Sequence, residues 1–345
     1  MIEGIIKIGG VLLLSFVYVT EENARIQKKG GRYLVGRNLE VVFEIPEEVL
    51  ECLVLIDNVQ VSSEAMVSLL KNGIPVSWIS RSGKFHGRLE STRHADVFKQ
   101  QKQILLQGST FSLEMGKKWI AAKTHNQSIL LRRYNRRARL SSVEEKIHQM
   151  SLLRKKVSCA VDRECLMGYE GNIARLYFEA LSCLVPEEFA FSGRNRRPPM
   201  DAFNAMISFA YTLISNEVYT AVVNRGLHPY FGMLHALKRN HPALASDLME
   251  EWRAVLADSM VMSMIHHHVI MPEHFQRRDE PGIYLTREGR AIFLRQYEKK
   301  MRTENKYLNP KVPMSYRKSI IYQAGAFSQA LMAEDASAYQ PVFLY

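Results

Sequence analysis

The spacing of apolar residues changes once along this chain, near Ser91. Before that point the apolar positions form short runs. Arg32–Val35, Glu40–Ile45 and Leu53–Ile56 are alternating or continuous stretches bounded by Gly30-Gly31, Gly36-Arg37-Asn38 and Asp57-Asn58. Runs of that length between turn residues predict strands. One helical patch, Ser63–Leu70, closes at Asn72-Gly73, a pair suited to a helix C-terminus. Pro75–Ile79 reads as a further strand, and Arg81-Ser82-Gly83-Lys84 as a turn. The pattern predicts a compact β domain over residues 1–91 with no recognisable catalytic residue.

Beyond Ser91 the period becomes helical. His94–Leu106, Thr110–Ala122, Val157–Cys183 and Asp201–Arg225 carry apolar residues at three- and four-residue intervals. No proline occurs between Val76 and Pro186, which favours long helices. Phe191–Met200 reads as a loop, and from Arg287 two more helical stretches lead to an extended end, YQPVFLY. The expected fold is therefore α+β: the N-terminal β domain, then a larger all-helical C-terminal domain over residues 92–345. Ile5–Val19 is the one segment that suggests targeting. It is too short for a bilayer and is interrupted by Lys7, Gly9 and Gly10, and no small-residue cleavage site follows. A strand, or a lead into one, is expected there, in a cytoplasmic protein with no membrane partner. The four cysteines show no zinc spacing and read as reduced thiols.

Charge sharpens this division. Lysine and arginine total 46 against 35 acidic residues, but residues 1–91 hold 10 basic and 11 acidic ones. The helical part thus carries the whole surplus, which points to a polyanion, nucleic acid before membrane. Its densest stretch, Lys117–Arg139, has eight basic residues (Lys117, Lys118, Lys123, Arg132, Arg133, Arg136, Arg137, Arg139) and no acid. Arg132/Arg136 and Arg133/Arg137 share helix faces, so they repel one another unless phosphates lie between them. A solvated basic face is the alternative.

Candidate chemistry lies in His235–Asp258. Leu244, Leu248, Trp252 and Val255 make one apolar stripe of a helix that starts near Pro242. Asp247, Glu250 or Glu251, and Asp258 run beside that stripe, and the turn LKRNHP returns His235 toward them. Imidazole and carboxylates together can hold a divalent metal. Acidic residues on a helix flank are also ordinarily solvated, and this stretch alone leaves both readings open. His266-His267-His268 is set aside as structural or surface, since consecutive residues on a helix face different ways.

Several motifs in fixed order add to this picture. Cys165–Leu181 (CLMGYEGNIARLYFEAL), Arg197-Pro198-Pro199-x-Asp201-x-x-Asn204-Ala205 with Tyr211, Gly226–His235 (GLHPYFGMLH) and Pro242–Arg253 (PALASDLMEEWR) follow one another. Asp57–Ser62 and Gly73–Val76 precede them. Together they resemble the CRISPR-associated spacer-acquisition integrase family (Cas-one) from about Tyr18 to Tyr345. His228 departs from the pattern where an aspartate is expected, and residues before about Phe16 look like an added leader.

The resemblance implies a β domain that dimerises and a helical catalytic domain with Mg²⁺ or Mn²⁺. Its ligands would be Glu170, His235 and Glu250, with Asp247 a nearby second carboxylate. Glu170 is expected to open a helix whose buried side is Ala174, Tyr177, Phe178 and Leu181. The implied reaction is insertion of spacer DNA into a repeat array by attack of a DNA 3′-hydroxyl, with water giving nuclease activity. The implied partners are prespacer duplex and CRISPR repeat DNA, a second copy, and the small companion adaptation protein (Cas-two). Arg175 is placed to meet a phosphate or to form an ion pair. Arg194, Arg196, Arg197, Lys238 and Arg239, with Arg132, Arg133, Arg136 and Arg137, would position the DNA backbone. The competing readings are a non-catalytic DNA-binding scaffold using the basic helical domain, indifferent to chelators, and an RNA-processing nuclease.

Overall fold

The computed structural model describes residues 16–38, 40–196, 198–277, 281–307 and 312–344. Arg197 and the proposed leader lie outside them. The chain order begins β1 (Phe16–Val19), β2 (Arg25–Lys29), β3 (Arg32–Arg37), β4 (Glu40–Pro46), β5 (Cys52–Ile56) and β6 (Gln60–Val61). It continues with α1 (Ser63–Lys71), β7 (Val76–Ile79) and β8 (Phe85–Leu89).

These strands form two four-stranded sheets, β1-β5-β7-β8 and β4-β3-β2-β6. In the first, β1, β5 and β7 run parallel. Parallel strands are covered on both faces, and β1 and β5 are accordingly apolar and buried throughout. In the second, β2, β3 and β4 are antiparallel, and β3 begins by alternating exposed and buried positions. The inward residues Ile26, Tyr33, Val35 and Ile45 join Val17, Val19, Leu53, Leu55 and Val76 in one cluster, with Ala65 and Leu69 of α1. Ser62 caps α1 by accepting the Ala65 N–H.

The second group of elements comprises α2 (Val97–Leu105), α3 (Thr110–Ala138), α4 (Ser141–Val157), α5 (Arg163–Ser182), α6 (Ala202–Asn224), α7 (Ala243–Met249) and α8 (Ser259–His266). Then come β9 (Phe275–Arg277), β10 (Ile283–Leu285), α9 (Arg287–Arg302), β11 (Glu304–Asn305), β12 (Met314–Ser315) and α10 (Tyr316–Ala333). Ser109, Asp162, Asp201 and Ser315 each cap a helix with a side-chain oxygen. The long helix α3 packs against α4 and α5. None of the described helices is long and apolar enough to cross a membrane.

Three features differ from the sequence expectation. The ladders β9–β10 and β11–β12 interrupt the helical part, which is predominantly rather than wholly helical. The helix expected across Leu244–Val255 is broken: α7 stops at Met249, residues 250–252 turn, and Arg253–Asp258 is π-helical before α8 resumes. Wider winding leaves no mark in an apolar stripe but rotates every side chain after it. Finally, the chain divides into two units, and Tyr284–Glu298 groups with the N-terminal one, which runs to Arg93. Arg287 Nη2 lies 2.8 Å from Glu21 Oε2, and Tyr297 meets Tyr18 edge to face at 6.5 Å. A return from so far along the chain has no local sequence signal.

Candidate metal centre

Asp247 organises the site. It lies on α7, a helix whose seven residues are all buried, so its carboxylate needs donors from the protein. The backbone before α7 supplies them: Oδ2 accepts the N–H of Met233 (2.6 Å) and Leu234 (2.9 Å), and Oδ1 accepts that of His235 (2.9 Å). Gly232 permits this approach. A Cβ there would stand 2.6 Å from Asp247 Oδ2 and 2.8 Å from the Ala243 Cβ. The same Oδ1 lies 2.6 Å from His235 Nδ1. A proton on Nδ1 donated to Asp247 leaves the Nε2 lone pair free to bind a ligand.

Nε2 faces Glu250, 3.9 Å from its Oε1. Glu250 sits on the turn after α7 and is buried. Two cations hold it: Arg253 Nε at 3.1 Å from Oε1, and Lys123 Nζ at 2.7 Å from Oε2. Lys123 comes from α3 and also reaches Glu170 Oε1 of α5 at 2.5 Å. Glu170, Lys123, Glu250 and His235 therefore form one line of neighbours, each touching the next. Burial alone would raise the Glu250 carboxyl, but Arg253, Lys123 and His235 overcome it and hold it well below its usual range. Burial works against the Lys123 ammonium, and the charges of Glu250 and Glu170 more than restore it. For His235 burial is likewise outweighed, by the hydrogen bond to Asp247 and the charges of Asp247 and Glu250.

The other carboxylates of this stretch go elsewhere. Glu251 turns into the core, where Tyr339 donates to Oε1 at 2.5 Å and the Val342 N–H to Oε2 at 2.7 Å. Asn126 ties the same corner, donating to the carbonyls of Glu251 and Val342 and accepting the Leu344 N–H. The extended segment 339–344 is thus a strap across the back of the turn that carries Glu250. Asp258 accepts from Tyr177 (2.7 Å) and Tyr211 (2.8 Å), deep in the protein. Spacing alone left Glu250 and Glu251 interchangeable; the turn over residues 250–252 sends them to opposite sides.

Glu170 does not open its helix as expected. α5 starts at Arg163 behind the Asp162 cap, which places Glu170 two turns in, and its most buried residues are Leu166, Ile173, Leu176, Tyr177, Ala180 and Leu181. His266 donates from Nε2 to the Leu184 carbonyl at 3.0 Å, while His267 and His268 are exposed.

The arginines divide into two groups. Arg132, Arg133, Arg136 and Arg137 are exposed on the last turns of α3. Arg196, Lys238 and Arg239 are exposed too, the last two lining a depression of about 240 Å³ with Tyr230, Phe231 and Leu237. Arg194 differs: it donates to Asn204 Oδ1 (2.8 Å) and Ser208 Oγ (3.0 Å) and tethers its loop to α6. Burial lowers its guanidinium to about 10. Arg175 pairs with Glu179 at 2.7 Å on the surface. At His228, where an aspartate was expected, Nδ1 accepts the Tyr230 N–H at 3.3 Å, the bond an aspartate makes in an Asx turn.

The residue that sequence reasoning missed is Lys123. It is one of eight cations in a basic stretch, yet only 6% of it is exposed. Its single sequence signal is position: Trp119, Ile120, Lys123, Asn126 and Gln127 share the buried face of α3.

The donor set suits a divalent cation: two carboxylates and an imidazole whose other nitrogen is tied down. Glu250 Oε2 is buried and its charge is met by a cation, the Lys123 ammonium at 2.7 Å, as a carboxylate suited to a metal ion requires. Among the described residues, however, no three His, Cys, Asp or Glu side chains are close enough to share an ion. The ammonium of Lys123 stands among them.

A strand-rich N-terminal unit followed by helices that assemble these donors defines the class. A family model described as CRISPR associated protein Cas1 matches residues 17–299, and the chain belongs to that family. It is 33% identical to the CRISPR-associated endonuclease Cas1 3 of Thermus thermophilus over 94% of this chain and 96% of that one. Among solved structures it is similar to a chain of a Cas6-RT-Cas1–Cas2 complex, with TM-score 0.83 and 25% identity. That match covers 94% of this chain and 36% of that one. A Cas1 protein from Thermotoga maritima shares the fold, with TM-score 0.80 and 20% identity over 96% of this chain and 99% of its own.

Proposed function

We propose that this protein is a metal-dependent DNA integrase and endonuclease of CRISPR adaptation. The observation that carries the reading is the line of contacts that joins Glu170 to Glu250 through Lys123 and Glu250 to His235, in a helical unit that exposes a row of arginines. Those three residues would hold Mg²⁺ or Mn²⁺. Such an ion supplies Lewis-acid stabilisation of charge on phosphodiester oxygens.

The chain's own residues do the rest. Asp247 fixes the His235 ring and its tautomer. Arg253 stays on Glu250 and keeps that carboxylate ionised. Arg132, Arg133, Arg136 and Arg137, with Lys238 and Arg239, bind phosphates without reading sequence. The nucleophile is a DNA 3′-hydroxyl: its oxygen bonds to phosphorus in the repeat as that strand's own P–O3′ bond breaks, and the proton it gives to solvent is matched by one that the released 3′-oxygen takes from solvent. No protein nucleophile is required. The partners under this reading are prespacer duplex, repeat DNA, a second copy of the chain and Cas2, in the cytoplasm.

The test is integration of a short duplex into a repeat-bearing plasmid in Mg²⁺ or Mn²⁺, with and without Cas2. Glu170→Gln, His235→Ala and Glu250→Gln should abolish strand transfer while retaining duplex binding. Integration at wild-type rates by all three, or in EDTA, overturns the metal assignment, and absence of integration with duplex binding that is indifferent to EDTA favours a DNA-binding scaffold.

A further inference from the structure

We propose that Lys123 is the internal counter-cation of this site, holding the Glu170 and Glu250 carboxylates in the metal-free protein and leaving when a divalent cation enters. The inference rests on the metal reading above and assigns a role to a residue that reading does not need. Two buried or half-buried carboxylates facing each other without a cation would repel strongly. Here one ammonium satisfies both, at 2.5 and 2.7 Å.

Two observations make it a replaceable occupant rather than a fixed strut. Glu250 keeps a second cation, Arg253, on its other oxygen, so departure of Lys123 does not leave that carboxylate alone. Lysine also carries its charge on a flexible stem of four carbons, and the site opens at Glu170, whose side chain is 20% exposed. With the ammonium in place, no three ligating side chains among the described residues lie close enough to share an ion. Loading is then an exchange of a monovalent ammonium for a divalent ion, with Lys123 setting a threshold on metal affinity.

The experiment compares wild type and Lys123→Met for MnCl₂ binding by isothermal titration calorimetry and for melting temperature in EDTA and in Mn²⁺, with no DNA present. Lys123→Met should bind Mn²⁺ at least tenfold tighter, melt lower in EDTA, and gain more from Mn²⁺ than wild type does. Equal or weaker Mn²⁺ binding by the variant overturns the exchange while the metal centre stands. Absence of binding to both proteins overturns the metal centre itself. If Lys123→Met does not fold, amine labelling of wild type with peptide mass spectrometry decides: Mn²⁺ should increase modification at Lys123, and an unchanged or reduced level overturns the proposal.

Discussion

Replacing Asp247 with alanine should unfold the protein more readily than removing any one proposed ligand. The carboxylate is fully buried and accepts from three consecutive backbone N–H groups, those of Met233, Leu234 and His235, besides meeting the His235 ring. Each buried donor left without a partner costs about 1–3 kcal/mol. Water entering the space vacated by the side chain would recover part of that. The expected loss is therefore about 3–5 kcal/mol, at the upper end for a point substitution. For a folding unit of the helical part's size each kcal/mol moves the melting temperature by roughly 2–4 °C, so a fall on the order of 10 °C is expected. Asp247→Asn, which keeps one acceptor but turns an amide toward the donors, should fall between. Calorimetry of the metal-free proteins measures this directly. A melting temperature for Asp247→Ala within about 2 °C of wild type would refute the view that this carboxylate organises the loop.

Gly232→Ala should damage the same loop by a different route, because its Cβ would meet Asp247 Oδ2 at 2.6 Å; a lower melting temperature together with weakened Mn²⁺ binding is the expected result. Arg194→Ala should reduce stability yet leave the salt dependence of DNA affinity unchanged, since its guanidinium is engaged by Asn204 and Ser208. Arg132→Ala with Arg136→Ala should do the reverse, reducing the slope of log K against log salt by about 0.9 for each phosphate no longer neutralised, with little change in melting temperature. Burial lifts the Asp258 carboxyl to about 6, against the pull of Tyr177, Tyr211 and Arg253. A carboxyl whose folded pKa exceeds its unfolded value makes the folded state bind more protons between the two. Its contribution therefore weakens stability as pH rises from about 4 to about 6, by roughly 3 kcal/mol at most. Relative to Asp258→Asn, wild type should lose about that much between about pH 4 and pH 7 in chemical denaturation, and no such relative loss would contradict the assigned shift.

Much of this was legible in the chain. The period of the apolar residues located the change from strands to helices near Ser91, and the strand at Leu53–Ile56 and the helix at Ser63–Leu70 appear within a residue or so. Motif order pointed to Glu170, His235 and Glu250, and the structure strings them along one line with Lys123 between the two glutamates. What stayed hidden depended on three-dimensional neighbours. Lys123 and Arg132 are alike in sequence, and only the packing of α3 buries one and exposes the other. Glu250 and Glu251 are adjacent and identical, and a turn decides which faces His235 and which faces Tyr339. Arg194 reads as a phosphate-binding residue until Asn204 and Ser208 are seen to claim it. The grouping of Tyr284–Glu298 with the first unit comes from pairing between distant segments, which local periodicity does not encode.

The strap formed by residues 339–344 has a consequence for synthesis. The turn bearing Glu250 leans on Glu251, and the bonds that Glu251 receives from Tyr339 and Val342 come from chain translated well after the donors themselves. A nascent polypeptide can already carry every donor group while the back of the turn is still missing its support. The support behind the Glu250 turn is therefore complete only once Tyr339 and Val342 have left the ribosome and can reach Glu251.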